Sequence, residues 1–282
     1  VNLESYQLLE EQAKEKSRSA QVQVSQQAEE GIFQDFVKKH GDCVFKGYDP
    51  KDLSSAILAI FCNGKSVEFL EEGQKGMILL KETPFYAEKG GQVGDTGTLT
   101  HHAAHFLVED CQNPYPGVIA HIGILEKGTL SAGEPVLAHV DLGRRAKISN
   151  NHTVTHLLHY ALEQILGSHI RQAGSLVEPH RFRFDFNHHK TVTKQEIREI
   201  ETMINEKIRN NQPVKSYELS YEEAQTQKEL KQFFGEKYGS TVRVIDIDYS
   251  KELCGGTHTH HVEQLVFSVL LRKGVSLPEY AE

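Results

Sequence analysis

Asn151-His152-Thr153-Val154-Thr155-His156-Leu157-Leu158 is the stretch around which the rest of the chain can be ordered. At about 100° per residue, Val154, Leu157, Leu158, Ala161 and Ile165 fall on one side of a helix running from Ser149 to Leu166 and stopped by Gly167. His152, His156 and His159 fall on the other side. The apolar stripe requires something flat to dock on, and the imidazoles then face a cleft. A helix of this kind predicts a helix-on-sheet layer with a site built into it.

The residues that follow supply the sheet. Arg181-Phe182-Arg183-Phe184-Asp185-Phe186 alternates strictly, with phenylalanines on one face and charges on the other, as an amphipathic strand does. Thr193 with Glu196, and Ser220 with Glu223, have capping-box spacing and open two further helices. The first carries Ile197, Ile200, Ile204 and Ile208. Pro213 to Leu219, Thr241 to Ile247 and Val262 to Leu271 read as strands. Residues 144–282 are therefore expected to form an α/β core, an antiparallel sheet with flanking helices.

Residues 42–143 read differently. Short apolar runs separated by turns replace helical periodicity: Ser55 to Phe61, Ser66 to Leu70, Gly76 to Lys81, His105 to Glu109, Gly117 to His121 and Glu134 to Val140. Asn63-Gly64 between the first two is a two-residue hairpin signal. Strands at such short intervals predict a small antiparallel β-barrel, and the whole chain an α+β fold. Within this part lies Thr83-Pro84-Phe85-Tyr86-Ala87-Glu88-Lys89-Gly90-Gly91-Gln92-Val93-Gly94-Asp95-Thr96-Gly97. Its glycines serve tight turns or a close approach of backbone to a neighbour, and a barrel corner would explain them equally well. Residues 1–41 are polar and charged. Leu8, Leu9 and Ala13, then Ile32, Phe33, Phe36 and Val37, have the spacing of a helical segment. Either its main packing partner lies upstream of Val1, the chain being read as an internal fragment, or the segment frays in isolation.

Composition narrows the class. The 282 residues suffice for two cored domains, and the formal net charge of −8 argues against indiscriminate nucleic-acid binding. A local basic surface is still open to Arg144, Arg145, Lys147, Arg171, Arg181, Arg183 and Lys190. No apolar run has membrane-spanning length, so no membrane partner is expected. Four cysteines without paired spacing, beside 16 histidines, point to a reducing, cytoplasmic setting with thiols available for metal.

Cys254-Gly255-Gly256-Thr257-His258 repeats the gap of His152 and His156 with a thiol and a third imidazole. Residues at i and i+4 of a helix project from one face, so His152, His156, Cys254 and His258 could close one tetrahedral site, and the His3Cys set suits a single zinc ion. His159, His260 and His261 neighbour these four and could replace one of them. His101-His102 and His188-His189 read as exposed loop histidines. A zinc protease is disfavoured because Thr153 stands where its motif needs glutamate, and no G-x-S-x-G elbow or P-loop is present.

The glycine-rich stretch from Thr83 to Gly97, His152 to Leu158, Arg171-Gln172-Ala173-Gly174-Ser175-Leu176-Val177, Phe234-Gly235-Glu236-Lys237-Tyr238-Gly239 and Cys254 to His258 together strongly resemble alanyl-tRNA synthetases. The match is to their editing region, in order, over most of residues 42–258. It departs from the family pattern at Lys89 and after His258, where Thr259-His260-His261 replaces a threonine-glycine turn. The resemblance implies an aminoacyl-tRNA deacylase that hydrolyses serine or glycine from mischarged alanine tRNA. An apolar synthetic site rejects an added hydroxyl poorly, so a second site must sort again. It implies Thr155 and Gln172 as catalytic and substrate-binding residues, which from sequence alone are equally a helix-surface residue and a loop cap. Gly90 and Gly91 would line the same cleft. Residues 1–41 would be the end of a preceding tRNA-recognition domain. ATP and alanine would belong to an aminoacylation core outside the chain. The alternatives are a threonyl-type or free-standing editing deacylase, or a non-catalytic zinc-stapled tRNA-binding module.

Overall fold

Asn63 and Gly64 both adopt positive φ, 51° and 73°, in the turn that joins β2 (Leu53–Cys62) to β3 (Lys65–Val67) with Cys62 opposite Lys65. This is the two-residue hairpin expected there, its twist matching that of the strands. The computed structural model describes residues 31–232 and 239–262. The chain divides into two units. One takes in the chain up to Ala87 together with Thr96–His139, and the other Glu88–Asp95 together with the chain from Val140 onward.

In the first unit β2 pairs antiparallel with β5 (Lys75–Leu80), which pairs with β9 (Val118–Lys127). Next come β8 (Ala104–Tyr115), β7 (Gly97–His101) and β11 (Pro135–Val140), and β11 returns to β2 with Val136 opposite Ser55. The six strands thus close into the antiparallel barrel, which leaves no open edge. Alternate residues point inward: Ile57, Ile78, Leu80, Leu99, Phe106, Val108, Leu125 and Val136 are buried. Short strands add to it: β1 (Val44–Phe45) on β6 (Glu82–Thr83), and β4 (Phe69–Glu71) on β10 (Thr129–Ser131). Residues 31–40 form helix α1. Its Phe33 and Phe36 bury against Phe61, Leu79, Val118 and Ala120 of the barrel. The packing partner expected upstream of Val1 is therefore found within the chain, for these two residues at least.

In the second unit helix α2 runs Leu142–Leu166, starting seven residues before the expected Ser149, because Asp141 caps it by accepting from the Arg144 N–H. Val154, Leu157, Leu158, Ala161 and Leu162 pack with Ile200, Ile204 and Ile208 of α3 (Lys194–Arg209), with Ile245 and Ile247, and with the inner faces of Phe182, Phe184 and Phe186. The phenylalanines lie on β13 (Phe182–Phe186), paired antiparallel with β12 (Gln172–Val177). A four-stranded sheet has the order β14 (Lys215–Ser220), β16 (Thr241–Asp246), β17 (Lys251–Leu253), β15 (Leu230–Lys231). Its last pair is parallel, a departure from the all-antiparallel expectation made by a two-residue edge strand. Both capping boxes form, on α3 and on α4 (Tyr221–Thr226). Among the described residues no helix is long and apolar enough to cross a membrane. Leu8, Leu9 and Ala13, the Phe234-to-Tyr238 part of the glycine-tyrosine motif, and the strand expected after Val262 lie outside the described residues.

Candidate metal centre

Helix α2 places His152 and His156 one turn apart, and their rings stack 5.6 Å apart at 11°. Cys254 is presented by the end of β17, where its N–H donates to the Arg243 carbonyl at 3.0 Å. Arg243 in turn donates to the Gly256 carbonyl at 2.7 Å, which bends the Cys254–His258 loop back on the helix. Gly256 is required by that approach: a Cβ there would stand 2.0 Å from His152 Cε1. As a result one donor atom from each of His152, His156, Cys254 and His258 lies within 4.8 Å of the others. The Cys254 Sγ is 3.4 Å from His152 Nε2 and 3.3 Å from His258 Nε2.

The Nδ1 atoms of the three histidines are all occupied by the protein. His152 Nδ1 donates to Gln92 Oε1 at 2.7 Å, and His156 Nδ1 to Glu252 Oε2 at 2.5 Å. His258 Nδ1 meets the Thr153 hydroxyl at 3.2 Å. That hydroxyl spends its proton on the Ser149 carbonyl, so it accepts from His258. Each ring is thereby turned so that Nδ1 faces the protein and Nε2 is directed at the cluster. His156 Nε2 is buried and has no hydrogen-bond partner. A buried imidazole atom left bare beside a thiol is what a metal ligand looks like before its ion is added.

The electrostatics agree. Burial pushes the Cys254 thiol up, but the His152 and His258 imidazoles against its sulfur outweigh burial and hold it well below its ordinary value, toward thiolate. Burial, then His152, pushes His258 down to about 3, so that it is neutral. His156 is pulled the other way. Burial lowers it, yet the Glu252 carboxylate prevails and raises it to about 10, so an ion entering the group must displace one proton there.

Thr155 stands between the two helix histidines, buried, its hydroxyl donating to the His152 carbonyl at 2.7 Å. Gln172 opens β12 and lines a cavity of about 260 Å³ with His159, Glu163, Arg171, Lys228, Leu230, Lys231 and Gln232. None of the four donors lines that cavity; His159 connects it to them through Glu252. Gly90 and Gly91, at φ 61° and 82°, form the turn of Lys89-Gly90-Gly91-Gln92, closed by hydrogen bonds in both directions between Lys89 and Gln92. Gly91 then lies so close to β12 that a Cβ would be 2.4 Å from the Ser175 carbonyl. Lys89 is exposed on this turn, so the family's small residue is not needed there.

Several expectations change. On the imidazole face of α2 His152, His156 and His159 are all buried, and of the three His159 alone lines the cavity beside Gln172. His159 is not among the four donors: its Nδ1 faces Glu252 Oε1 at 3.0 Å and its Nε2 lies 3.6 Å from Glu163 Oε1. Arg145 belongs to no basic surface: it is buried in an ion pair with Asp95, at 2.8 Å from Nε to Oδ1. After His258 the chain runs beside Gln212–Val214, with Val214 N–H donating to the His260 carbonyl and Val262 N–H to that of Gln212. Sequence reasoning missed Gln92, Glu252 and Thr153. The only trace of them was adjacency, Glu252 two residues before Cys254 and Thr153 beside His152.

The sequence profile of the tRNA synthetases class II (A) matches residues 1–144. The chain belongs to that family. Among curated relatives it is 42% identical over 273 residues to the alanine–tRNA ligase of Chlamydia caviae, covering 97% of this chain and 31% of the ligase. The alanine–tRNA ligase of Chlamydia muridarum is 46% identical over 258 residues, 92% of this chain and 29% of the ligase. That of Bordetella petrii is 43% identical over 237 residues, 83% and 27%. The chain thus spans about three tenths of the length of the synthetases it matches. The profile ends within the first turn of α2, ahead of all four donors.

Proposed function

We propose that this chain is the editing part of an alanine–tRNA ligase, a deacylase that hydrolyses the aminoacyl ester of alanine tRNA mischarged with serine or glycine. The observation that carries the reading is the His3Cys group, three imidazole nitrogens and the Cys254 sulfur converging, in a chain whose relatives are alanine–tRNA ligases. The donor set fits zinc. When bound, zinc supplies Lewis-acid polarisation and a fixed position for an oxygen of water or substrate.

The chain's own residues supply selection. Thr155 has committed its proton to His152, so its oxygen keeps lone pairs that accept from a serine hydroxyl. Alanine has no hydroxyl to offer and would leave that acceptor buried and unanswered. The Gln172 amide, on a polar cavity wall with Arg171, Lys228 and Lys231, can both donate and accept, while the cations suit the anionic 3′ end of tRNA. Cys254 and His258 are only half buried, whereas His152 and His156 are buried, so substrate approaches from the loop side. Water then adds to the ester carbonyl, and the bond to the ribose oxygen breaks to release amino acid and free tRNA.

Four protein donors complete a tetrahedral shell, which favours a second reading, a metal-stapled RNA-binding module without catalysis. Hydrolysis of alanine tRNA carrying serine, glycine or alanine separates the two. Release of serine and glycine with alanine retained supports editing, and tight tRNA binding with no release supports the module.

A further inference from the structure

His169, His188 and His189 come from two loops, the turn after α2 and the end of β13, and one ring nitrogen from each lies within 4.8 Å of the others. We propose that these three imidazoles are a second metal site, open to solvent and distinct from the His3Cys group, for a late first-row divalent ion.

The rings already crowd together. His169 Nε2 and His188 Nδ1 share a hydrogen bond of 2.9 Å, and the ring centroids of His188 and His189 are 5.0 Å apart. An ion with bonds of about 2.1 Å needs donor separations of about 3.4 Å, so small side-chain rotations suffice. The backbone beneath them is fixed. Arg171 Nη1 donates to the Ser168 carbonyl at 2.7 Å and to the Ile170 carbonyl at 2.6 Å, and Asn187 N–H donates to the Arg171 carbonyl at 3.2 Å. Gly167, at φ 117°, turns the chain so that His169 lies over it. His188 Nε2 is shielded from solvent and has no hydrogen-bond partner. Imidazole nitrogens without a carboxylate or thiolate select copper, nickel, cobalt or zinc over magnesium or calcium. Three donors leave coordination positions open to solvent, unlike the four of the buried group.

Cobalt(II) distinguishes the sites, because only Cys254 can give a thiolate charge-transfer band. The 282-residue chain, stripped of metal, is dialysed against cobalt(II). Two equivalents are expected to bind, one with the band and one without. In His169→Ala/His189→Ala, and in the milder exposed-site variant His189→Gln, the silent equivalent is expected to be lost while the band persists, the band itself reporting an intact fold. A single equivalent in the parent chain, or a silent equivalent that survives in both variants, would overturn the proposal.

Discussion

Glu252 is a single buried carboxylate serving three donors. It accepts from His156 Nδ1 at 2.5 Å, His159 Nδ1 at 3.0 Å and Ser250 Oγ at 3.0 Å. Burial pushes it up, but His156 and His159 more than compensate and keep it ionised, well below the usual carboxylate range. Its effect on the metal is indirect, through the orientation and basicity of His156. Glu252→Gln keeps the shape and removes the charge, and should weaken metal affinity about 10- to 100-fold; competition against a chelator of known affinity reads this directly. His121, inside the barrel, shows the opposite treatment of an imidazole. Its Nδ1–H donates to the Ile78 carbonyl at 2.9 Å and its Nε2 accepts from the Thr83 hydroxyl at 2.7 Å, leaving no place for a second proton. Burial pushes it from 6.5 down to about 4. Between those values the unfolded chain binds a proton that the folded chain refuses. Stability therefore rises with pH across this window and is lost as pH falls through it, by about 3 kcal/mol in all. Urea midpoints between pH 7 and pH 4 should fall more steeply for the parent than for His121→Gln; parallel slopes would remove His121 from the account.

At the scale of elements, the segment Glu88–Asp95 reaches the candidate metal centre because it is tied to β12 and to α2. Gly91 and Val93 bond Val177 of β12, and Asp95 holds Arg145 of α2. Between these ties Gln92 bridges His152 and Thr257. Arg145→Met strands a buried carboxylate and should cost about 3–5 kcal/mol, whereas adding Asp95→Leu should restore most of it. Denaturant unfolding of the single and double variants checks the order. The same segment shows where the sequence could be read and where it could not. Helix α2, the capping boxes at Thr193 and Ser220, and the Asn63-Gly64 hairpin were legible because their signals lie within a turn or two of chain. The four donors were legible because each pair repeats at i and i+4. Gln92 and Glu252 were not, since their partners are 60 and 96 residues away. The start of α2 was hidden for a related reason. Arg144 and Arg145 look like a solvated stretch until Gly94 and Asp95 are seen to accept from them. Strands as short as β15 and β17 have no periodicity to detect.

For the whole molecule, the barrel unit closes on its own core, and the four donors with the residues that orient them all belong to the unit formed by Glu88–Asp95 and the chain from Val140. The chain matches about three tenths of the length of the alanine–tRNA ligases to which it is similar, and the His3Cys group is its candidate metal centre. Editing by that group predicts that metal and hydrolysis stand or fall together. The decisive measurement is the deacylation rate of serine-charged alanine tRNA by the zinc-loaded chain, by the chain after chelation, and by the chain reloaded with zinc, with His156→Ala alongside. Activity should fall on chelation, return on reloading and be absent in the variant. Full hydrolysis by the metal-free chain or by His156→Ala would contradict the account.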